Sequence, residues 1–306
     1  MAELEGLVQG EAEMRLDRYI ADELGSLSRS QLKLRSLAIR VNGREAKLSR
    51  LVKPGDSFAI VLKDEEAAGE AAEELELDIL YEDASVIVLN KAQGMVTHPA
   101  HGNWRGTLAN GLLGLFKAQR DAAEAPSRAG IVHRLDKDTS GLIIAAKTAA
   151  AQEFLAAQFR DRTTRKIYLA VCQGVPAAAS GRIDTWLARD PRDRKRFCVS
   201  AEGDGKHAQS DYKLLGSAEG YALLALRPRT GRTHQLRVHC KRLGCPILGD
   251  PIYGRKDKRF PEATLMLHAR ELMITLPGEA EARVFSAPIP ERFLRILRLL
   301  ALETLV

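Results

Sequence analysis

Apolar positions recur at two different periods along the chain, and the change of period marks its parts. Leu16, Tyr19, Ile20 and Leu24 fall at helical spacing and stop at Gly25, which predicts a short first helix. Ser28 or Ser30 then offers a side-chain cap for a second helix reaching about Leu34. "IRVNGREAK" sets Asn42 and Gly43 between two short alternating runs, a hairpin signal, and "KPGDSFAIVL" adds a Pro-Gly turn and a closing strand. A small αα-hairpin leading into a small sheet is expected over residues 13–63.

From about residue 75 the pattern changes to strand-like runs. "LDILYED" and "SVIVLNK" read as two strands, Val132 and "GLIIAAKT" as two more around a charged cluster, and "RKIYLAVCQG" as another. "AAAQEFLAAQFRD" reads as a helix, and the tail "ERFLRILRLLALETLV" carries Leu and Ile at helical spacing. Strands and helices mix without strict alternation, so the expected class is α+β with a mixed, mainly antiparallel twisted sheet over residues 75–306.

Charge sharpens the boundary. Arg15 to Lys63 holds 11 Lys and Arg against 5 Asp and Glu, whereas Asp64 to Leu80 holds 8 acids and no base. Residues 64–74 therefore read as an acidic linker. The net charge of +6 over 306 residues suits a polyanionic partner. The opening "MAELEGLVQGEAEM" is acidic where a signal peptide is basic and then apolar, and no apolar run nears the roughly 20 residues of a membrane span. A cytoplasmic protein with no membrane partner is expected, with Cys172, Cys198, Cys240 and Cys245 reduced.

Candidate chemistry concentrates in "IVHRLDKDTSGLIIAAKT", residues 131–148, where His, Arg, two Asp and a Lys crowd against sequence that reads as buried. A protein-kinase loop needs a different residue order, a Gly-rich loop and Asp-Phe-Gly, which the chain lacks. "EGDGKHAQ" fails as a phosphate loop because His207 follows Lys206 where Ser or Thr is required. His234, His239, Cys240 and Cys245 lack the paired spacing of a zinc site, so no metal is expected and packed thiols are the better account.

"HRLDKDTSGL" is similar to the signature of the RluA-type pseudouridine synthases, and "NKAQGMVTHP", "RKIYLAV", "RTGRTHQLRVH" and "ILGDPIYG" follow in that family's order. The first 63 residues resemble an S4-type RNA-binding module, with Arg29, Lys33, Arg35 and Arg44 on its basic face. Ala92 and Gln93 depart from the Pro-Ala often found there in the family. The match covers almost the whole chain and is nearest to the subgroup that modifies large-subunit ribosomal RNA.

The resemblance implies the pseudouridine synthase fold and a redox-neutral isomerisation without cofactor. The C1′–N1 bond of a uridine breaks, the uracil turns, and C5 rejoins C1′. It implies Asp136 as the catalytic carboxylate, attacking C1′ or removing a sugar proton, and Arg237 as the cation that keeps it ionised in an enclosed pocket. Tyr168 is implied to stack on the uracil and remove the C5 proton, Leu236 to floor the pocket, and Arg134 to enter the RNA stack where the target leaves it. His133 is expected to orient the loop, with Asp138, Thr139 and Ser140 as turn and cap residues. The basic segment 189–206, with Phe197, reads either as an arm lying on RNA or as a solvated loop. The implied partner is RNA, large-subunit (23S) ribosomal RNA or the precursor large subunit, met by a monomer. Two other readings stand beside this one: a ribosome-assembly factor on the same scaffold, and a nucleoside hydrolase, which would call for a second carboxylate.

Overall fold

A computed structural model describes residues 2–10, 13–27, 29–63, 71–99, 103–119 and 126–306. The chain forms two compact units, Met1–Ala71 and Ala72–Val306.

The first unit opens with a strand ahead of the expected start at residue 13. β1 (Ala2–Leu7) pairs antiparallel with the last strand of the unit; its Gly and Glu content gave no strand signal. β2 (Met14–Arg15) leads into α1 (Leu16–Arg18), which widens into a π turn over Tyr19–Glu23. That turn is closed by the Leu24 N–H donating to the Tyr19 carbonyl, five residues back, at 3.0 Å. The extra residue rotates Leu24 off the apolar stripe: Leu16, Tyr19 and Ile20 are buried and Leu24 is exposed, against expectation.

α2 (Arg29–Arg35) follows, and the expected cap at Ser28 lies outside the described residues, as does the side chain of Ser30. β3 (Ser36–Val41) and β4 (Arg44–Glu45) make the hairpin across Asn42 and Gly43, both at positive φ as a two-residue turn demands. β5 (Leu51–Val52) pairs β2, and β6 (Ser57–Leu62) alternates Phe58, Ile60 and Leu62 into the core. The sheet order is β1-β6-β3-β4.

Residues 64–70 of the acidic segment lie outside the described residues. Glu73 is bound into the second unit, its N–H donating to the Asn110 carbonyl at 3.0 Å and its Oε2 accepting from the Gly106 N–H at 2.9 Å. β7 (Ile79–Glu82) and β8 (Val86–Lys91) precede α3 (Leu108–Gln119), then β9 (Ser140–Ala146) and α4 (Ala149–Arg160). The Thr148 side chain caps α4 by accepting from the Ala151 N–H at 3.2 Å. Val132 forms no strand; the segment before it coils through a 3₁₀ turn at Ser127–Gly130 and touches the sheet at a single bridge, Ile131 to Ala145.

β10 (Arg165–Gln173), β11 (Ser180–Arg189), β12 (Phe197–Ser200), β13 (Lys206–Ala218) and β14 (Tyr221–Pro228) lead to α5 (Gln235–Arg242). β15 (Leu267–Thr275), β16 (Ala282–Ser286) and α6 (Glu291–Leu299) close the chain. The ten strands form one sheet in the order β12-β11-β13-β14-β10-β15-β9-β8-β7, with β16 on β15. As expected it is mainly antiparallel; among the described residues the one parallel contact joins β15 to β9.

β8 and β9 explain how continuous apolar runs serve a sheet covered on both faces. Val88, Leu142 and Ile144 point toward α4, while Leu89, Ile143 and Ala145 point toward α3. Gly141, at φ 111°, lets β9 meet β15 at all: a Cβ there would stand 2.2 Å from the Ala269 carbonyl oxygen. No helix among the described residues is long and apolar enough to cross a membrane.

Candidate active site

The turn that enters β9 carries the charged cluster, and buried polar groups hold its backbone. Leu135 packs into the core between Arg134 and Asp136, and both of those neighbours reach one cavity. The Thr97 hydroxyl donates to the Leu135 carbonyl at 2.9 Å. Lys91, fully buried, spends its ammonium on the carbonyls of Ala92 and Met95 at 2.8 Å and of Lys137 at 3.1 Å. Burial pulls the Lys91 pKa down to about 8 against the opposing charges of Asp138 and Asp136.

Gln93 donates to the carbonyls of Asp138 and Leu265, and its Oε1 accepts from Thr264 and from Arg292 of α6. Arg292 also donates to the Ser140 hydroxyl at 2.7 Å, which meets His268 Nδ1 at 2.9 Å. The Thr139 N–H closes the turn on the Asp136 carbonyl at 3.1 Å. Ser140 is thus more than a turn residue, and the tail helix, expected only to dock, reaches the same loop.

Asp136 opens onto a cavity of about 500 Å³ that also receives Tyr168, Arg237, Leu236, Arg134 and His133. Its side chain is 20% exposed, and Arg237 Nη1 stands 3.5 Å from its Oδ2. The closer partner of Arg237 is Asp250, which the sequence reading did not single out. Arg237 Nε donates to Asp250 Oδ2 at 2.8 Å and Nη2 to Oδ1 at 2.7 Å, a two-pronged grip between fully buried groups. Burial disfavours both charges, but each is more than offset by the other: the Arg237 pKa lies above and the Asp250 pKa below its ordinary value. Asp250 Oδ1 also accepts the N–H groups of Ile252 and Tyr253, which fixes the "GDPIYG" turn beneath Arg237.

Tyr168, on β10, is buried against the cavity wall and its hydroxyl has no hydrogen-bond partner among the described residues. Burial, and then the Asp136 charge, push its pKa upward, so it stands as a neutral phenol. His133 Nε2 accepts the Ile144 N–H of β9 at 3.0 Å and its ring stacks on Phe159 with centroids 4.5 Å apart. Burial, with Lys166 nearby, takes its pKa down to about 3. The ring thus holds the loop to the sheet.

Among the described residues lining the cavity Asp136 is the only acid, whereas Arg134, Arg160, Arg162, Lys166, Arg229, Arg232 and Arg237 are all cations. No cluster of three or more His, Cys, Asp or Glu able to hold a metal occurs among the described residues. His239 instead meets the hydroxyls of Thr185 and Ser210, and Cys240 and Cys245 are packed thiols. Segment 189–206 is anchored through β12, which pairs with β11 and sets Phe197 edge-on to His234. On the first unit Lys33 and Arg44 are exposed, Arg29 leans 3.3 Å from Asp17, and Arg35 donates to the Lys63 carbonyl.

The family model for RNA pseudouridylate synthase matches residues 85–242. A protein of Borreliella burgdorferi named ribosomal large subunit pseudouridine synthase D is 42% identical over 93% of this chain and 89% of its own length. One of the same name from Neisseria meningitidis serogroup A is 40% identical over 94% and 79%. Among solved structures, Human RNA Pseudouridylate Synthase Domain Containing 4 superposes with TM-score 0.60 at 26% identity, covering 73% of this chain and 93% of that one.

Proposed function

The chain belongs to the RNA pseudouridylate synthase family, and we propose that it isomerises uridines to pseudouridine in large-subunit ribosomal RNA, with Asp136 as the catalytic carboxylate and no cofactor. The observation that carries this reading is a cavity in which Asp136 is the one acid and seven residues are cations among the described residues that line it. A hydrolytic glycosidase sets two carboxylates about 5 to 9 Å apart, one protonating the leaving group. Here a single carboxylate faces the sugar, which suits a reaction whose leaving group never departs.

The balance is simple: C1′–N1 breaks, C1′–C5 forms, C5 loses a proton and N1 gains one. Asp136 either attacks C1′ or takes a sugar proton, and Arg237, itself held by Asp250, steadies its charge. Tyr168 stacks on the turned base and takes part in removing the C5 proton. As a neutral phenol it passes a proton on rather than storing one. Leu236 lies under the base, Arg134 fills the gap left in the RNA stack, and the cationic rim receives phosphates.

The first unit, with residues 13–63 as its S4-type module, docks RNA through Lys33 and Arg44 with Arg29 and Arg35 beside them. Residues 75–306 carry catalysis, and the protein works in the cytoplasm as a monomer. The large-subunit target is supported by the names of the relatives.

The test is tritium release from ribosomal RNA labelled at uracil C5, taken from cells lacking the protein. Release by wild type, with none by Asp136→Asn that still binds RNA, is expected. A folded wild type that releases none from naked RNA or from precursor particles overturns the reading.

A further inference from the structure

Beside Asp136 lies a second ring that the proposed mechanism does not use. His234 sits at the N-terminal end of α5 in a left-handed conformation, φ 56° and ψ 14°, which a non-glycine residue seldom adopts. Strained backbone of this kind persists where surrounding contacts over-determine it. Here they are aromatic: Phe197 and Tyr253 each meet the imidazole edge-on, with centroids 5.8 and 5.5 Å away.

The hydrogen bonds around the ring favour the proton on one of its two nitrogens. The Tyr253 hydroxyl accepts the Phe197 N–H at 2.8 Å, so its own single proton must go elsewhere. Among the described residues its remaining neighbour within hydrogen-bond distance is His234 Nδ1, at 2.9 Å. The arrangement that gives this proton a partner has Tyr253 donating to Nδ1, which puts the proton of the neutral imidazole on Nε2. That Nε2–H lies 3.9 Å from Asp136 Oδ2, the oxygen that Arg237 approaches at 3.5 Å.

We propose that His234 is a positioning residue for the Asp136 carboxylate: locked by Tyr253 as the Nε2–H tautomer, it closes on Oδ2 beside Arg237 when RNA fills the cavity, leaving Oδ1 to face the sugar. This rests on the synthase reading of the site. Of the charges around the ring, Asp136 and Asp250 favour protonation, Arg237 and Arg134 oppose it, and burial, the largest influence, opposes it too. The net direction is downward, so the ring works as a neutral donor.

The geometry also ties segment 189–206 to the reaction centre. Phe197 begins β12, and its N–H orients the hydroxyl that orients His234. One carboxylate oxygen is thus steadied through a chain of three groups, Phe197, Tyr253 and His234, none of which has to touch the uridine.

The experiment compares wild type, His234→Ala, His234→Gln and Tyr253→Phe in single-turnover tritium release, with RNA affinity and thermal unfolding measured alongside. Nitrogen-15 NMR of labelled histidine reads the tautomer directly. Removing one hydrogen bond to a charged group slows the chemical step about tenfold to a hundredfold in His234→Ala, with RNA affinity unchanged. His234→Gln, whose amide N–H replaces Nε2–H, recovers most of that rate, which a merely structural role would not predict. Tyr253→Phe loses rate and the fixed tautomer together. A wild-type His234 carrying its proton on Nδ1, or a His234→Ala rate within about threefold of an active wild type, overturns the proposal and leaves the synthase reading standing. An inactive wild type overturns both.

Discussion

Asp250→Asn separates the packing of Arg237 from its charge. The amide keeps the shape but takes from a buried guanidinium its nearer counter-ion, and breaking such a pair costs about 3–5 kcal/mol. Urea unfolding is expected to show that loss even where some activity survives, because Asp136 still stands 3.5 Å away. Three buried rings make a second prediction. His133, His239 and His268 have pKa values of about 3, 4 and 4, each lowered first by burial, so they are neutral when folded. The unfolded chain binds protons below about pH 6.5, so acid favours it, and at about pH 5 each ring removes about 2 kcal/mol of stability. Unfolding measured at about pH 7 and about pH 5 should differ by several kcal/mol; equal values would show that these rings titrate in the fold as they do in water. The motifs located Asp136, Tyr168 and Arg237 in the sequence, and all three line one cavity. Which acid Arg237 grips was not legible, because Asp250 and Asp136 lie 13 and 101 positions from it and linear order does not rank them. His234 and Tyr253 were inside quoted motifs, yet their roles depend on a hydrogen-bond direction that only three dimensions supply.

Elements that bury both faces were the easiest to read. β8 and β9 announced themselves as unbroken apolar runs, and α4 as a helical stretch. The first helix was misjudged because a π turn and an α turn share their opening residues, and the added residue shows only at Leu24. β1 was missed because Ala, Glu and Gly carry little strand preference, so its pairing with β6 rests on tertiary context. The departure at Ala92 and Gln93 looked like loop variation, yet Gln93 joins the Asp136 loop to α6 and to Leu265. Gln93→Ala leaves Arg292, which has no carboxylate partner among the described residues, without one of its two side-chain acceptors. We expect a loss of about 1–3 kcal/mol by chemical denaturation, together with a slower chemical step, since the loop loses the clasp at Asp138. Unchanged stability and rate would reduce Gln93 to a surface contact.

The whole molecule divides its charge in a way that the total of +6 conceals: along the sequence the acidic stretch Asp64–Leu80 separates the basic stretch Arg15–Lys63 from the residues of a cavity whose charged lining, among the described residues, is seven cations and one acid. Composition could suggest a polyanionic partner, but the gathering of cations from the β9 turn, α4, β10 and the β14–α5 turn needed the sheet to be folded. The narrowest joint in that sheet is the parallel contact of β9 and β15, two residue pairs long, His268 with Ser140 and Ala269 with Gly141. Every other strand contact on the main path is antiparallel, and this one spans 128 positions between Ser140 and His268. Contacts of such separation carry the largest loop-closure cost and form late in folding. The Asp136 turn runs straight into that joint, so Asp136 acquires its neighbours only when both halves of the sheet have met. Pulse-labelled hydrogen exchange during refolding should find the Ser140–Gly141 amides among the last to be protected; early protection would contradict this order. Under the proposed mechanism a half-assembled chain has no means of opening a glycosidic bond it cannot reclose, so assembly itself would guard the RNA against abasic damage.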